Sequence, residues 1–311
     1  MSKVREIITG ACEFAECDLL NEDKITAFGE KYDILPEEVK EEVLKALSEI
    51  KKDKDYTLYC KLLLGYMKNN MSVKPLEPDF EDGIKAEFAL FFPVWYMAEE
   101  AAADMERRGI PHNIIAKSFK GISGCVAGNK KFKGCMGTSA YFTWLTFFAG
   151  GKLFRLNDFQ YEKREHNGRP AIGIHIPAGT KLNVYQNILS FREALDFFET
   201  YYPEIEISGF TCESWLLSRE IEEVMGKKTN ISRFGDMFDH YSINDTQGDA
   251  VYRFVYNLVA PYPPLEELPE NTTLQRKLKE YMIKGKKAYA LGGFISKEKL
   301  ISMLNTEKEG I

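Results

Sequence analysis

Residues 152–177, KLFRLNDFQYEKREHNGRPAIGIHIP, carry an imidazole, a carboxylate, a cation and an amide at spacings that bring them to one surface. Asn157-Asp158 and Asn167-Gly168 each separate runs of β-prone residues, and both suit a two-residue turn with positive φ. Two such turns make a three-stranded meander of defined register. Leu156 then faces Phe159, Arg155 faces Gln160, and His166 faces Arg169, with Glu162 opposite Gly173 and Gln160 opposite His175. One face becomes Phe154, Leu156, Phe159, Tyr161, Ile174 and Ile176, a core wall. The other becomes Arg155, Gln160, Glu162, Gly173 and His175. A slip of one residue would exchange the two faces, so the pattern itself supports the register. On the polar face His175 and Glu162 come within cross-strand reach. A carboxylate neighbour favours the imidazolium and orients the ring, and an imidazole so held can serve as a general base. The same face reads equally as a solvated sheet surface with a structural histidine.

The flanking elements must position this meander. Up to about residue 130 the pattern is helical. LPEEVKEEVLKALSEIKK predicts a helix starting at Pro36, with Glu37, Glu38 and Glu41 at the positive end of its dipole and Val39, Val43, Leu47 and Ile50 as its apolar stripe. TLYCKLLLGYMKNN predicts the next helix, and MSVKPLEPDF, with two prolines, a loop. A long helix bent at Pro93 follows in FEDGIKAEFALFFPVWYMAEEAAADMERRGI, then one more in PHNIIAKSFKGISGCVAG. TSAYFTWLTFFAG is a short apolar helix before the meander. After it, Ser190 and Glu193 form a capping box opening SFREALDFFETYYP. EIEISGFTCESWLL alternates as a strand with Phe210, Cys212 and Ser214 on one side. SREIEEVMG reads as a helix capped by Ser218, TNISRFGDMFDHYS as a turn or helix, AVYRFVYNLV as a strand, LQRKLKEYMIK as a helix, and KAYALGGFI as the last strand. Two domains are expected, 1–135 helical and 136–311 built on a mixed sheet.

The bulk numbers exclude some classes. A 311-residue chain with 44% apolar and 28% charged residues is that of a soluble globular protein, long enough for two domains of ordinary size. Its 21 Phe and 16 Tyr imply large cores or an apolar pocket. A net charge of −6 argues against general nucleic-acid binding, and no apolar run is long enough to span a membrane. The opening MSKVREIITGACEFAECDLL has no continuous apolar core, which argues against export. The six cysteines form no C-x-x-C pair and read as reduced thiols in a cytoplasm. With four histidines and no H-E-x-x-H, no metal site is expected. Oligomeric state is not legible.

The order of elements from residue 136 resembles the Gcn5-related N-acetyltransferase (GNAT) fold: an antiparallel meander, a helix, another strand, a helix. LFRLNDFQYE, IHIPAGTKLN, SFREALDFFETYYPE, FTCESWLL and TNISRF resemble a bacterial group of acyltransferase-domain proteins, in which a helical N-terminal domain precedes a GNAT-like C-terminal domain. The resemblance implies an α+β fold with helices on both faces of the sheet, and transfer from acetyl-CoA or another acyl-CoA to a small-molecule amine, with no metal. It makes His175 or Glu162 the base that takes the amine's proton. It sets the coenzyme pyrophosphate against Ala178, Gly179, Thr180, Lys181 and Leu182, before a helix N-terminus. The family's Q/R-x-x-G-x-G/A loop is replaced here by PAGTKLNVYQNILS, with one glycine.

Other candidates follow from the same resemblance. Ser214 would donate to the leaving thiolate, and Cys212 would be an acyl acceptor or a buried packing residue. Arg155, Gln160, Trp215, Asn230 and Arg233 would line the acceptor site, although Trp215 also reads as core and Asn230 as a helix cap. Tyr241 and His240 are candidates by residue type alone. The basic runs KSFKGISGCVAGNKKFKG and RKLKEYMIKGKK would meet the adenosine 3′-phosphate or form solvated helix faces. Two further readings stay open: a non-catalytic ligand-binding protein on a GNAT-like scaffold, and a thiol-based enzyme pairing Cys212 with His175.

Overall fold

The structure, a computed structural model, describes residues 17–244 and 248–309. The opening sequence up to residue 16, with Cys12, lies outside them. The chain divides into two compact units, residues 1–154 and 155–311.

The first unit is helical: α1 (Glu22–Tyr32), α2 (Glu37–Lys51), α3 (Lys54–Lys68), α4 (Ile84–Phe88), α5 (Phe91–Arg107), α6 (His112–Gly128), α7 (Lys130–Lys133) and α8 (Phe142–Ala149). The expected stripe of Val39, Val43, Leu47 and Ile50 is buried on α2. The long helix expected across Pro93 is not one bent helix. It breaks into α4 and α5 at Ala89-Leu90, because a proline ring crowds the carbonyl four residues earlier, here that of Ala89. Trp95 of α5 stacks on Phe91 at 5.0 Å and meets Phe28 edge-on at 5.1 Å, the centre of this core. The buried carboxylate of Glu87 accepts the backbone N–H groups of Thr138 and Ser139 at 3.2 and 3.1 Å, so it is satisfied within the fold.

A six-stranded mixed sheet forms the second architecture. Its strands are β1 (Leu153–Leu156), β2 (Phe159–His166), β3 (Arg169–His175), β4 (Gly209–Ser214), β5 (Asp239–Tyr241) and β6 (Leu291–Ser296), in the order β1-β2-β3-β4-β6-β5. The helices α9 (Val184–Tyr201), α10 (Arg219–Met225), α11 (Asn230–Gly235), α12 (Asp249–Val251), α13 (Thr273–Ile283) and α14 (Lys297–Glu309) accompany it. Asn157, Asn167 and Gly168 adopt positive φ at the two meander turns. The β2–β3 register pairs Gln160 with His175, Glu162 with Gly173, and His166 with Arg169. Phe159, Tyr161 and Ile174 are buried. Phe191 of α9 packs on that wall, against Phe159 at 5.6 Å and Phe210 at 5.5 Å.

Two expectations fail here. Helix α9 begins at Val184, capped by the Asn183 side chain, and not at Ser190. Ser190 lies inside the helix with its hydroxyl 2.8 Å from Tyr161 Oη, so the capping box does not form. AVYRFVYNLV is not a strand: it forms α12 and a π-helical turn over Tyr252–Tyr256. Val251, Val255 and Tyr256 are buried in one cluster with Leu278 and Met282 of α13, a helical spacing that β-prone residues obscured. The segment TNISRFGDMFDHYS holds helix α11 and then edge strand β5. No helix among the described residues is long and apolar enough to cross a membrane.

Candidate active site

Strands β2 and β3 present Glu162 and His175 on the same face because cross-strand partners share a face and residues two apart along a strand do too. His175 Nε2 stands 2.9 Å from Glu162 Oε2. The carboxylate side chain is 12% exposed and the imidazole 24%, so the pair is screened from water on one side and open on the other. An ionised carboxylate only accepts, so Nε2 carries the hydrogen and the neutral ring has its basic lone pair on Nδ1. The arrangement can take a proton from a group that approaches Nδ1.

The pair sits where the sheet opens. Strands β3 and β4 run parallel, but their pairing covers only Ile172 with Phe210 and Gly173 with Thr211. Beyond it β3 continues to His175 and β4 to Ser214. His175 and Glu213 are thus both two residues past the last pair, on the same face, flanking the gap. Glu213 is anchored by Arg164 Nη2 at 2.9 Å and by the Tyr241 hydroxyl at 3.3 Å, both to Oε1. Burial, then the Glu213 carboxylate, push the Tyr241 phenol up to about 12. Two glycines make room for this cluster. A Cβ on Gly173 would stand 2.6 Å from Arg164 Cδ and 3.3 Å from Glu162 Oε2, and one on Gly292 would fall 2.1 Å from the Tyr241 ring. His166 stacks on Phe294 at 4.6 Å and meets Tyr241 at 5.0 Å.

Of the residues singled out from sequence, His175 and Glu162 are brought together, with half-buried Gln160 directly opposite His175. Arg155 is half-buried on β1, and burial holds its guanidinium below the usual arginine value. Cys212 and Ser214 go elsewhere. They alternate with Thr211 and Glu213, so they lie on the face opposite His175. Cys212 is 1% exposed, and burial raises its thiol to about 12, which leaves it no geometry for a pair with His175. The Ser214 hydroxyl accepts from the Leu216 N–H at the end of β4. Trp215 packs against the cluster of Ile221, Val255 and Leu278. Thr229, not Asn230, caps α11, and both Asn230 and Arg233 are exposed. In the loop before α9, Gly179 has φ +84° with open space around it, Thr180 donates to the Asp158 carbonyl at 3.1 Å, Ala178 and Lys181 are exposed, and Leu182 is buried. His240 bonds the Gly235 carbonyl at 2.9 Å.

Sequence reasoning missed Arg164 and Glu213. The signal for Glu213 was its alternation with Cys212, but its face follows only from the parallel pairing with β3. Arg164 was equally placed by the β2 alternation, two residues from Glu162.

A mixed six-stranded sheet whose central parallel pair parts after a short pairing is the architecture of a GNAT-like domain. The chain belongs to the family described as "GNAT-like C-terminal domain", whose model matches residues 113–295. No curated protein matches the sequence. Solved structures do. An acyltransferase in complex with CoA and 10C-teicoplanin is 20% identical, with 88% of this chain and 87% of that one covered and a TM-score of 0.74. An acyltransferase with decanoyl-CoA and teicoplanin is 19% identical over 94% and 93%, at TM-score 0.74. Another with decanoyl-CoA is 23% identical over 91% and 89%, again at 0.74. At these identities the likeness is one of fold, and it extends across the helical N-terminal region as well as the sheet.

Proposed function

We propose that the chain is an acyl-CoA-dependent N-acyltransferase that moves an acyl group to an amine by direct attack, with residues 136–311 as the acyltransferase domain. The observation that carries this reading is the His175–Glu162 pair at the parting of β3 and β4. An acyl-CoA held in that gap presents its thioester carbonyl beside the imidazole. His175 Nδ1 takes a proton from the amine, Glu162 stabilises the imidazolium, the nitrogen bonds to the acyl carbon, and the carbon–sulfur bond breaks. Residues 178–182 and the first turn of α9 receive the pyrophosphate, where N–H groups and the helix dipole favour an anion. Arg155, Gln160, Trp215, Asn230 and Arg233 remain acceptor-side candidates of lower rank than His175 and Glu162. The similar acyltransferases bound to decanoyl-CoA support an acyl donor longer than acetyl as the first to try. The free thiols of Cys17, Cys60, Cys125, Cys135 and Cys212 support a cytoplasmic setting.

The test is titration calorimetry with decanoyl-CoA, acetyl-CoA and free CoA. One-site micromolar binding of an acyl-CoA is expected. Binding of none of the three would overturn the transferase reading and favour the second one, a ligand-binding protein on this scaffold, for which the single-glycine loop is the supporting observation.

A further inference from the structure

Glu213 has a half-used carboxylate. Arg164 and Tyr241 both donate to Oε1, and among the described residues Oε2 has no hydrogen-bond partner. The side chain is 38% exposed. An ion pair this accessible contributes little to stability, so its placement calls for another reason. The β3–β4 gap supplies one: Glu213 stands two residues past the last β3–β4 pair, on the same face as His175, with Oε2 left to accept from an incoming N–H.

We infer that Glu213 docks the acceptor as its ammonium ion, an inference that rests on the transferase reading. Oε2 takes one N–H of the R–NH3+ group, across the gap from His175. The ammonium then gives one proton to His175 Nδ1, and the freed lone pair forms the bond to the thioester carbon. As the carbon–sulfur bond breaks, its electron pair leaves on sulfur. The second proton shed by the attacking nitrogen neutralises the thiolate, and the proton on His175 passes to water. The third hydrogen stays in the amide. Arg164 positions Glu213 and tempers its charge, which sets the affinity low enough for the ammonium to be released toward attack.

The experiment needs no acyl donor. Cyclohexylammonium and its neutral isostere cyclohexanol are titrated by NMR into the full chain, its Glu213→Gln variant and its Arg164→Met variant. The wild type should prefer the ammonium, and Glu213→Gln should lose about tenfold of that preference, as for a hydrogen bond to a charged group. Arg164→Met keeps an apolar stem over Gly173 and removes the cation, so it should shift the preference the opposite way. No ammonium preference in the wild type, an unchanged one in Glu213→Gln, or the same sign in both variants would overturn the assignment. Failure to bind any CoA species in the calorimetry counts against the transferase reading alone, and loss of the ammonium preference counts against Glu213 alone.

Discussion

Arg164 lies across Gly173: a Cβ at position 173 would stand 2.6 Å from Arg164 Cδ. That single missing side chain lets two polar systems converge, His175 with Glu162 on one side and Arg164 with Glu213 and Tyr241 on the other. Gly173→Ala should therefore displace Arg164 and crowd Glu162 at once. The expected cost is about 1–3 kcal/mol, as for other overpacked sites, together with a fall in transferase rate larger than the stability loss explains. Urea unfolding and turnover measured on the same preparation would check both.

Cys212 provides a control. It faces the core side of β4, away from His175, and burial raises its thiol to about 12. Direct attack by an amine makes Cys212→Ala nearly silent in turnover, with a stability loss of about 1 kcal/mol. Iodoacetamide at neutral pH should leave Cys212 unlabelled in the folded protein while exposed Cys135 reacts. Loss of activity in folded Cys212→Ala would revive the thiol mechanism.

Asn183 holds the entry to α9, its Oδ1 accepting the Gln186 N–H at 3.1 Å. Asn183→Ala should cost about 1 kcal/mol and loosen the 178–182 loop. If that loop receives the coenzyme pyrophosphate, the variant should bind acyl-CoA more weakly while kcat at saturation is kept. Unchanged affinity would move the pyrophosphate away from this loop.

The tyrosines give a pH signature. Tyr241 rises from its ordinary 10.0 to about 12, through burial first and Glu213 second. Tyr262 reaches about 12 as well, through burial and then Asp249. A phenol whose folded value lies above its unfolded one contributes stability that is whole below pH 10 and is lost as the pH climbs toward about 12. Urea midpoints should decline over that window, and Tyr241→Phe should flatten part of the decline.

The meander was legible in the sequence because its determinants are local. Asn157 and Asn167 set the turns, the period-2 alternation set the faces, and together they placed His175 near Glu162 without any long-range information. The Glu213 cluster was hidden for the opposite reason. It depends on β4 pairing in parallel with β3 across an intervening helix, and on β5 joining the far edge through β6, contacts that no local spacing encodes. Ser190 misled because Ser-x-x-Glu also fits a helix interior, where its hydroxyl meets Tyr161. AVYRFVYNLV misled because β-branched and aromatic residues pack equally well on a short helical turn.

The most direct measurement is single-turnover release of free thiol from decanoyl-CoA with an amine acceptor, comparing the wild type with His175→Ala, alongside donor affinity for each. Proton abstraction by His175 implies a rate about 10²–10⁴-fold lower in the variant with donor affinity unchanged. Equal rates in the two proteins, at equal donor occupancy, would contradict it.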